Sequence, residues 1–488
     1  MLEIGNKTYK QWPPDDDQSK TRLETYQRNR LLFKGKHQDV YSRVQQWLDR
    51  EADKTLVYIV CNFAGLLSKV SSDMLFGEPH RFMVGEEGGP EQEQLDRIIR
   101  DNGLQLLGFE GALSSSWRGD AILKTRFGKF SDWDERNYAI IEAASPGTFW
   151  PILDGDNVRG LKGGVFGWTK QLGKQKYLRI ERQLPGLIRN ELYRLDGQTI
   201  QEQVKLSTFP EYAEMPEEQE TGYPGLLFEY IPNWRLDDEF FGISDYADLE
   251  GLFDELNNRV SRISRVLDKH ESPRLLLPAG MLVEDPRNPG RYYIEKEALE
   301  AIEVGEDDPK DLPRYLVWDA QLEAAFKQID KLLELAFMIS ETSPDAFGLQ
   351  NGGVAESGRA LKFRLLRLLA KINRKKLYWD HALKNVLHAA QYLEAVHGGG
   401  PDPKDVSIQW ADGLPQDPYE AAEIEDIRTG RRATTSRKSA ISRLDGLQGK
   451  QLDSEVATIE EEERATAVPA PMGGLNLGFM REEGEGEA

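Results

Sequence analysis

Two stretches of this chain carry the same apolar stripe, and an insert separates them. Over 244–270, Leu249, Phe253, Leu256, Val260, Ile263 and Leu267 step alternately by four and three. Over 319–341, Leu322, Phe326, Ile329, Leu333 and Ala336 repeat the pattern. This spacing draws one apolar seam along a long helix, and a seam needs a partner to bury it. Two helices that can pair antiparallel, bracketing the segment 271–318, answer that need. Ser244 reads as the N-cap of the first helix, and Pro273 stands just past its end. The segment between has strand signals around one short helix.

The second helix runs into "SPDAFGLQNGGVAE", a loop with Gly348, Gly352 and Gly353, the amides Gln350 and Asn351, and one aromatic, Phe347. Glycines there permit positive φ and close approach. The chain then enters "SGRALKFRLLRLLAKINRKK", which opens one very long helix over about 357–396 with Ser357 as cap. Arg364, Arg367, Lys371 and Arg374 step by three, four and three, with Lys362 and Lys375 beside them, opposite an apolar stripe of Leu361, Leu365, Leu368 and Ile372. Three readings of the row stand open: a solvated face, partners for the chain's own acids, or contact with phosphates or a neighbouring subunit.

Elsewhere, 18–76 has helical spacing, broken by Gly77 and Pro79. From 121 to 231 short β-type runs alternate with Gly, Pro, Asp and Asn turns. Residues 418–470 read as helices, and 471–488 as a low-complexity, disordered tail. The fold class expected is α+β, mainly helical.

Composition narrows the functions. With 83 acidic and 62 basic residues, the net charge of −21 repels bulk nucleic acid. Cys61 is the sole cysteine, which excludes an intrachain disulfide, and its apolar setting reads as a buried structural thiol. The N-terminus lacks a secretory pattern and no stretch reads as membrane-spanning, so a soluble protein is expected. No Walker loop, HExxH, paired CxxC or GxSxG elbow occurs. His381 and His388 share a helix face without an acidic third ligand, and Asp237–Glu239 reads as a solvated turn. No cofactor, metal or catalytic residue is expected.

Several segments, in order, resemble tailed-bacteriophage portal proteins of the siphophage type. They are "YQRNRLLFKGKH", "NFAGLLSKVSSDMLFGEPHRF", the long run from "GLLFEYIPN" through "GISDYADLEGLFDELNN" to "SPRLLLPAG", then "SGRALKFRLLRLLAKINRKK" and "LPQDPYEAAEIED". The resemblance covers about 22–465; within it, 121–231 matches in texture only.

The resemblance implies a portal fold. Its parts would be a wing (1–243), a stem helix (244–270), a clip (271–318), a second stem helix (319–342), a tunnel loop (343–356), a long kinked wing helix and strand (357–417) and a crown (418–470). It implies a ring, of twelve subunits in such proteins, at a capsid vertex of the virion and assembled in the host cytoplasm. Double-stranded DNA would pass through it in packaging and ejection. Implied partners are the terminase large subunit, a head–tail connector or adaptor, and scaffold and major capsid protein, with no membrane. Phe347, Gln350, Asn351, Gly352, Gly353 and Glu356 would face the DNA channel. Lys362, Arg364, Arg367, Lys371 and Arg374 would face a neighbour or DNA, and Arg287, Arg291, Tyr292 and Glu295 would serve clip docking. The alternatives are another phage head or adaptor structural protein and, behind it, a carboxylate-metal nuclease.

Overall fold

A computed structural model of the chain describes residues 1–42, 58–271, 274–276, 282–294, 314–316, 322–349, 358–413 and 418–466, apart from positions 87, 132, 431 and 448. It separates into two compact units, Met1–Leu414 and Pro415–Ala488.

In the first unit, α1 (Asp17–Phe33) and α2 (Phe63–Phe76) are separate helices rather than one continuous run over 18–76. Asn62 explains the new start. Its side-chain oxygen accepts from Gly65 N at 3.0 Å, and its amide donates to Phe33 O at 3.1 Å. One residue thus caps α2 and ties it to the end of α1. Cys61, expected to be buried, is only half-buried in the extended approach to this cap, and burial pushes its thiol pKa up. Helices α3 (Pro90–Asp101) and α4 (Leu104–Arg118) follow, broken at Gly103, whose φ of +55° ends the first helix.

The strand-rich section builds two antiparallel sheets. Strands β1 (Leu2–Ile4) and β2 (Lys7–Tyr9) pair antiparallel, and β3 (Arg81–Met83) pairs with the strand Ser407–Gln409. Strands β4 (Asp120–Gly128), β5 (Tyr138–Ala144) and β12 (Phe228–Pro232) form a three-stranded sheet in the order β12-β4-β5. Strands β6 (Phe149–Asp154), β7 (Asn157–Leu172), β8 (Gln175–Leu184), β9 (Leu187–Asp196) and β10 (Thr199–Val204) form a meander, and β11 (Glu218–Glu220) adds to β9. Phe149, Phe166 and Phe228 lock the two sheets together with centroids 5.1–5.4 Å apart. Gly167 lets Trp12 lie flush on the meander, since a Cβ there would sit 2.0 Å from the indole.

The stripes form α5 (Glu250–Glu271) and α6 (Leu322–Ile339). Leu249, Phe253, Leu256 and Ile263 are buried, as is Ala336, but the far ends are open: Leu267 is 46% and Phe326 50% exposed. On α5 the seam is closed as far as Ile263, and it opens toward the far end of the hairpin. Two short strands, β13 (Arg274–Leu276) and β16 (Arg314–Leu316), pair antiparallel beyond it. Between them β14 (Leu282–Glu284) and β15 (Tyr292–Ile294) form a hairpin, and the helix expected in this insert lies outside the described residues.

The expected single helix over 357–396 is α7 (Gly358–Arg364) and α8 (Leu366–Gly398), meeting at Leu365 (φ −89°, ψ 5°). Leu365 N still bonds Leu361 O and Leu369 N bonds Leu365 O, so the side-chain faces carry through the joint. The buried stripe of α8, from Leu368 and Ile372 through Trp379 to Leu383 and Leu387, packs on the three-stranded sheet and on α2–α4. Trp379 meets Phe76 edge-on at 4.9 Å, and Gly111 leaves room for its ring. With strands in quantity beside its helices, the first unit is mixed α+β.

In the second unit, α9 (Pro418–Thr429) packs on α10 (Arg437–Asp445), and α10 on α11 (Gly449–Thr466), with Glu425 of α9 joined to α10. Arg443 grips that carboxylate with two bonds, at 2.8 and 2.7 Å, and Arg428 adds a third at 3.0 Å.

Candidate functional site: where the helical hairpin meets the basic helix

Both roots of the α5–α6 hairpin sit against the same two turns of α8. At the first root, the chain leaves β12 through Asn233 and returns to α5 through Gly242–Ser244. Gly242 passes so close to Gly119 that a Cβ would stand 2.1 Å from its carbonyl. Ser244 does not cap α5. Its hydroxyl accepts from Tyr246 N at 3.0 Å and bonds the end of α4, and the helix starts at Glu250. The reason is Asp245, drawn inward instead of into a first helical turn.

The Asp245 carboxylate is saturated. Oδ1 accepts from Asn233 at 3.0 Å and faces Lys371 Nζ at 3.1 Å; Oδ2 accepts from Ser116 Oγ at 2.7 Å and Lys375 Nζ at 2.7 Å. Lys371 and Lys375 are 7% and 4% exposed, one turn apart on α8. Burial alone would raise the Asp245 pKa, yet the two ammonium groups hold it well below the usual carboxylate range. Burial lowers the Lys375 pKa to about 8, with Asp245 opposing the shift.

At the second root, Ser340 O accepts from Lys371 at 3.1 Å. Glu341 follows at φ +54°, the one non-glycine residue with positive φ among the described residues. Its carboxylate takes Arg374 at 2.6 Å and lies 3.8 Å from Arg367. Beyond it, Phe347 turns inward onto Phe63 and Phe337, with centroids 5.7 and 5.4 Å away. A cavity of about 870 Å³ opens beside this joint, rimmed by Trp234, Ile339 and Leu377, with Asp245, Lys375 and Arg374 in its walls.

The expected row is thus divided. Lys371, which the spacing groups with this row and the resemblance assigns to a neighbour or DNA, is buried in its own chain; it lies on the flank of the apolar stripe and pairs with Asp245. Lys362, Arg364, Arg367 and Arg374 keep an exposed side and meet Asp412, Asp345 and Glu341 of their own chain. Of the loop residues, Phe347 is a packing anchor, and Gln350, Asn351, Gly352, Gly353 and Glu356 lie outside the described residues. In the insert, Arg287 and Arg291 are exposed at the β14–β15 turn and Tyr292 is 61% exposed; Glu295 lies outside the described residues.

Sequence reasoning missed Asp245, Asn233, Ser116 and Glu341. A signal existed for the first: Lys371 and Lys375 flank Leu368 and Ile372 on the core side of α8, and a core lysine needs a buried acid. Among the described residues no group of three or more His, Cys, Asp or Glu could hold a metal, and no helix is long and apolar enough to cross a membrane.

The family profile described as "Phage portal protein, SPP1 Gp6-like" matches residues 14–468. This chain belongs to that phage portal protein family. Its members are structural proteins of the virus particle, so the role here is a structural one in the portal of a virion. No curated protein sequence matches the chain. Among solved structures it is similar to a chain in the neck of an empty gene transfer agent particle computed with C6 symmetry (13% identity, TM-score 0.41, covering 79% of this chain and 90% of that one). It is similar also to chains in the virion of a native gene transfer agent particle (13%, 0.37, 79% and 90%) and in the neck of the native particle computed with C12 symmetry (13%, 0.36, 78% and 90%).

Proposed function

We propose that this chain is one subunit of a closed ring at a capsid vertex, through which double-stranded DNA enters and leaves the particle. The observation that carries the reading is the family match over 14–468, which spans the hairpin, the insert and the basic helix together. The geometry fits it. A hairpin clamped at its root and open along its outer half, with Leu267 and Phe326 exposed, has apolar seam left for neighbouring hairpins. Head-to-tail contacts of this kind close into rings.

In this reading the hairpin is the stem and 271–318 the clip, offering Arg287, Arg291, Tyr292 and Glu295 to the terminase large subunit and later to a head–tail connector. Residues 343–356 are the tunnel loop, anchored by Phe347 with the amides Gln350 and Asn351 beyond the anchor. Each copy adds −21 to the ring, and a wall of that sign lets a polyanion slide because few counterions are released on contact. Scaffold and major capsid protein are the assembly partners, in the host cytoplasm.

Electron microscopy of the purified chain tests this. Rings with an axial hole are expected. A uniform monomer that cleaves DNA only with a divalent cation would overturn the reading.

A further inference from the structure

The outer face of α7–α8 is apolar where a solvated helix would be polar. Phe363, Leu366, Arg367, Ala370, Arg374 and Leu377 share it by helical spacing. Phe363 is 67%, Leu366 59% and Leu377 74% exposed. Phe363 and Leu366 are neighbours on this face, and Leu377 lies about three turns further on, past the exposed Arg367, Ala370 and Arg374. Arg367 rises through this face with its side chain 78% exposed, and among the described residues its ion pair is with Glu341 at 3.8 Å. An exposed pair that loose contributes little, so the guanidinium is available to a second acid.

Elsewhere on the chain is a patch of opposite character. The turn after β12, "WRLDDE", exposes Trp234 (38%) and Leu236 (47%), followed by the exposed carboxylates of Asp237, Asp238 and Glu239. None of the three acids makes an ion pair among the described residues. Trp234 lies across the 870 Å³ cavity from Leu377, so this turn stands about four helical turns of α8 from Phe363, on the order of 20 Å. Within one copy the turn borders the Leu377 end of this face, and the Phe363–Leu366 end is left uncovered by it.

We propose that the α7–α8 face seats the 234–239 turn of a second copy, with Leu236 on Phe363 and Leu366 and the acids on Arg367. A contact between unlike patches is heterologous, which is the kind that propagates around a ring. The proposal rests on the ring reading above and names the surfaces that close it.

The sole cysteine makes the test direct. In a Cys61→Ser background, copies carrying Leu366→Cys are mixed with copies carrying Asp238→Cys and oxidised. A disulfide-linked dimer is expected only in the mixture. A copy carrying both cysteines should give a ladder of linked species. Arg367→Glu should weaken assembly at least tenfold, and Asp238→Arg on the same chain should restore much of it. Rings by microscopy without any 238–366 link, or links only between 366 and 366, overturn this interface and leave the ring reading standing. A chain that stays monomeric overturns both.

Discussion

Lys371 Nζ lies 3.1 Å from Asp245 Oδ1 and 3.1 Å from the carbonyl of Ser340, so one side chain of α8 ties both roots of the helical hairpin. Asp245 precedes α5 and Ser340 ends α6. The orientation of the hairpin is thereby fixed to the long helix, and through it to the sheet that α8 covers. Force or tilt applied to the insert at the hairpin's far end would be transmitted to this triad.

Removing one member leaves a buried charge without its counter-charge. Asp245→Asn is expected to cost about 3–5 kcal/mol, measured as a lower midpoint of denaturant unfolding. Replacing all three, Asp245→Leu with Lys371→Met and Lys375→Met, should cost much less than the single change, because no charge remains to be desolvated. A triple variant worse than the single would show that the triad's charges stabilise the joint outright.

The two depressed groups make stability rise with pH in two separate windows, one acidic and one alkaline. The Asp245 pKa is depressed on folding, so its contribution is present above the ordinary carboxylate range and is lost as pH falls through the folded value. Lys375 is also depressed, to about 8. Between about pH 8 and the ordinary lysine value near 10.4, the unfolded chain binds the extra proton, and stability from this group rises with pH. Comparing wild type with Lys375→Met at pH 7.5 and 9.5 should show wild type gaining by up to about 2 kcal/mol over that interval. A flat difference would place the Lys375 pKa near its ordinary value.

Glu341 combines a left-handed backbone with a carboxylate that Arg374 grips at 2.6 Å. Glu341→Ala loses the ion pair and keeps the strain. Glu341→Gly loses the ion pair and relieves the strain, so the glycine variant should be the more stable of the two by about 1 kcal/mol. Thermal unfolding of the pair measures this, and equal stabilities would mean that the backbone there is unstrained.

How much of this was legible follows from what periodicity records. The stripes of α5 and α6 were visible because burial repeats along a helix. The strands of 121–231 were visible as short runs between turn residues, though their partition into two sheets was not, since pairing is non-local. The start of α5 was misplaced because Ser244 has the composition of a cap while Asp245 makes a tertiary contact with a helix more than a hundred residues away. The basic row was read by spacing alone. Spacing puts Lys371 beside Arg367, but only packing tells that one is 7% exposed while the other stands out in solvent. The outer apolar face of α7–α8 was equally hidden: Phe363 and Leu377 count as core by type and are surface by position.

The place where Phe347 packs sharpens the test of the loop before α7. Deleting all of 345–355 would remove both the aromatic that packs on Phe63 and Phe337 and the Asp345 that faces Arg364 at 3.6 Å. Deleting only 350–356 leaves that anchor. Assembly of the shorter deletion should match wild type by microscopy, while DNA packaging in a particle assembled from it should fall. Phe347→Ala should do the reverse in part, costing about 3–5 kcal/mol at most as a large-to-small change in a partly buried cluster, with the amide-rich segment intact. If the shorter deletion abolishes assembly, the 350–356 segment holds subunits together, and its assignment to the channel wall fails.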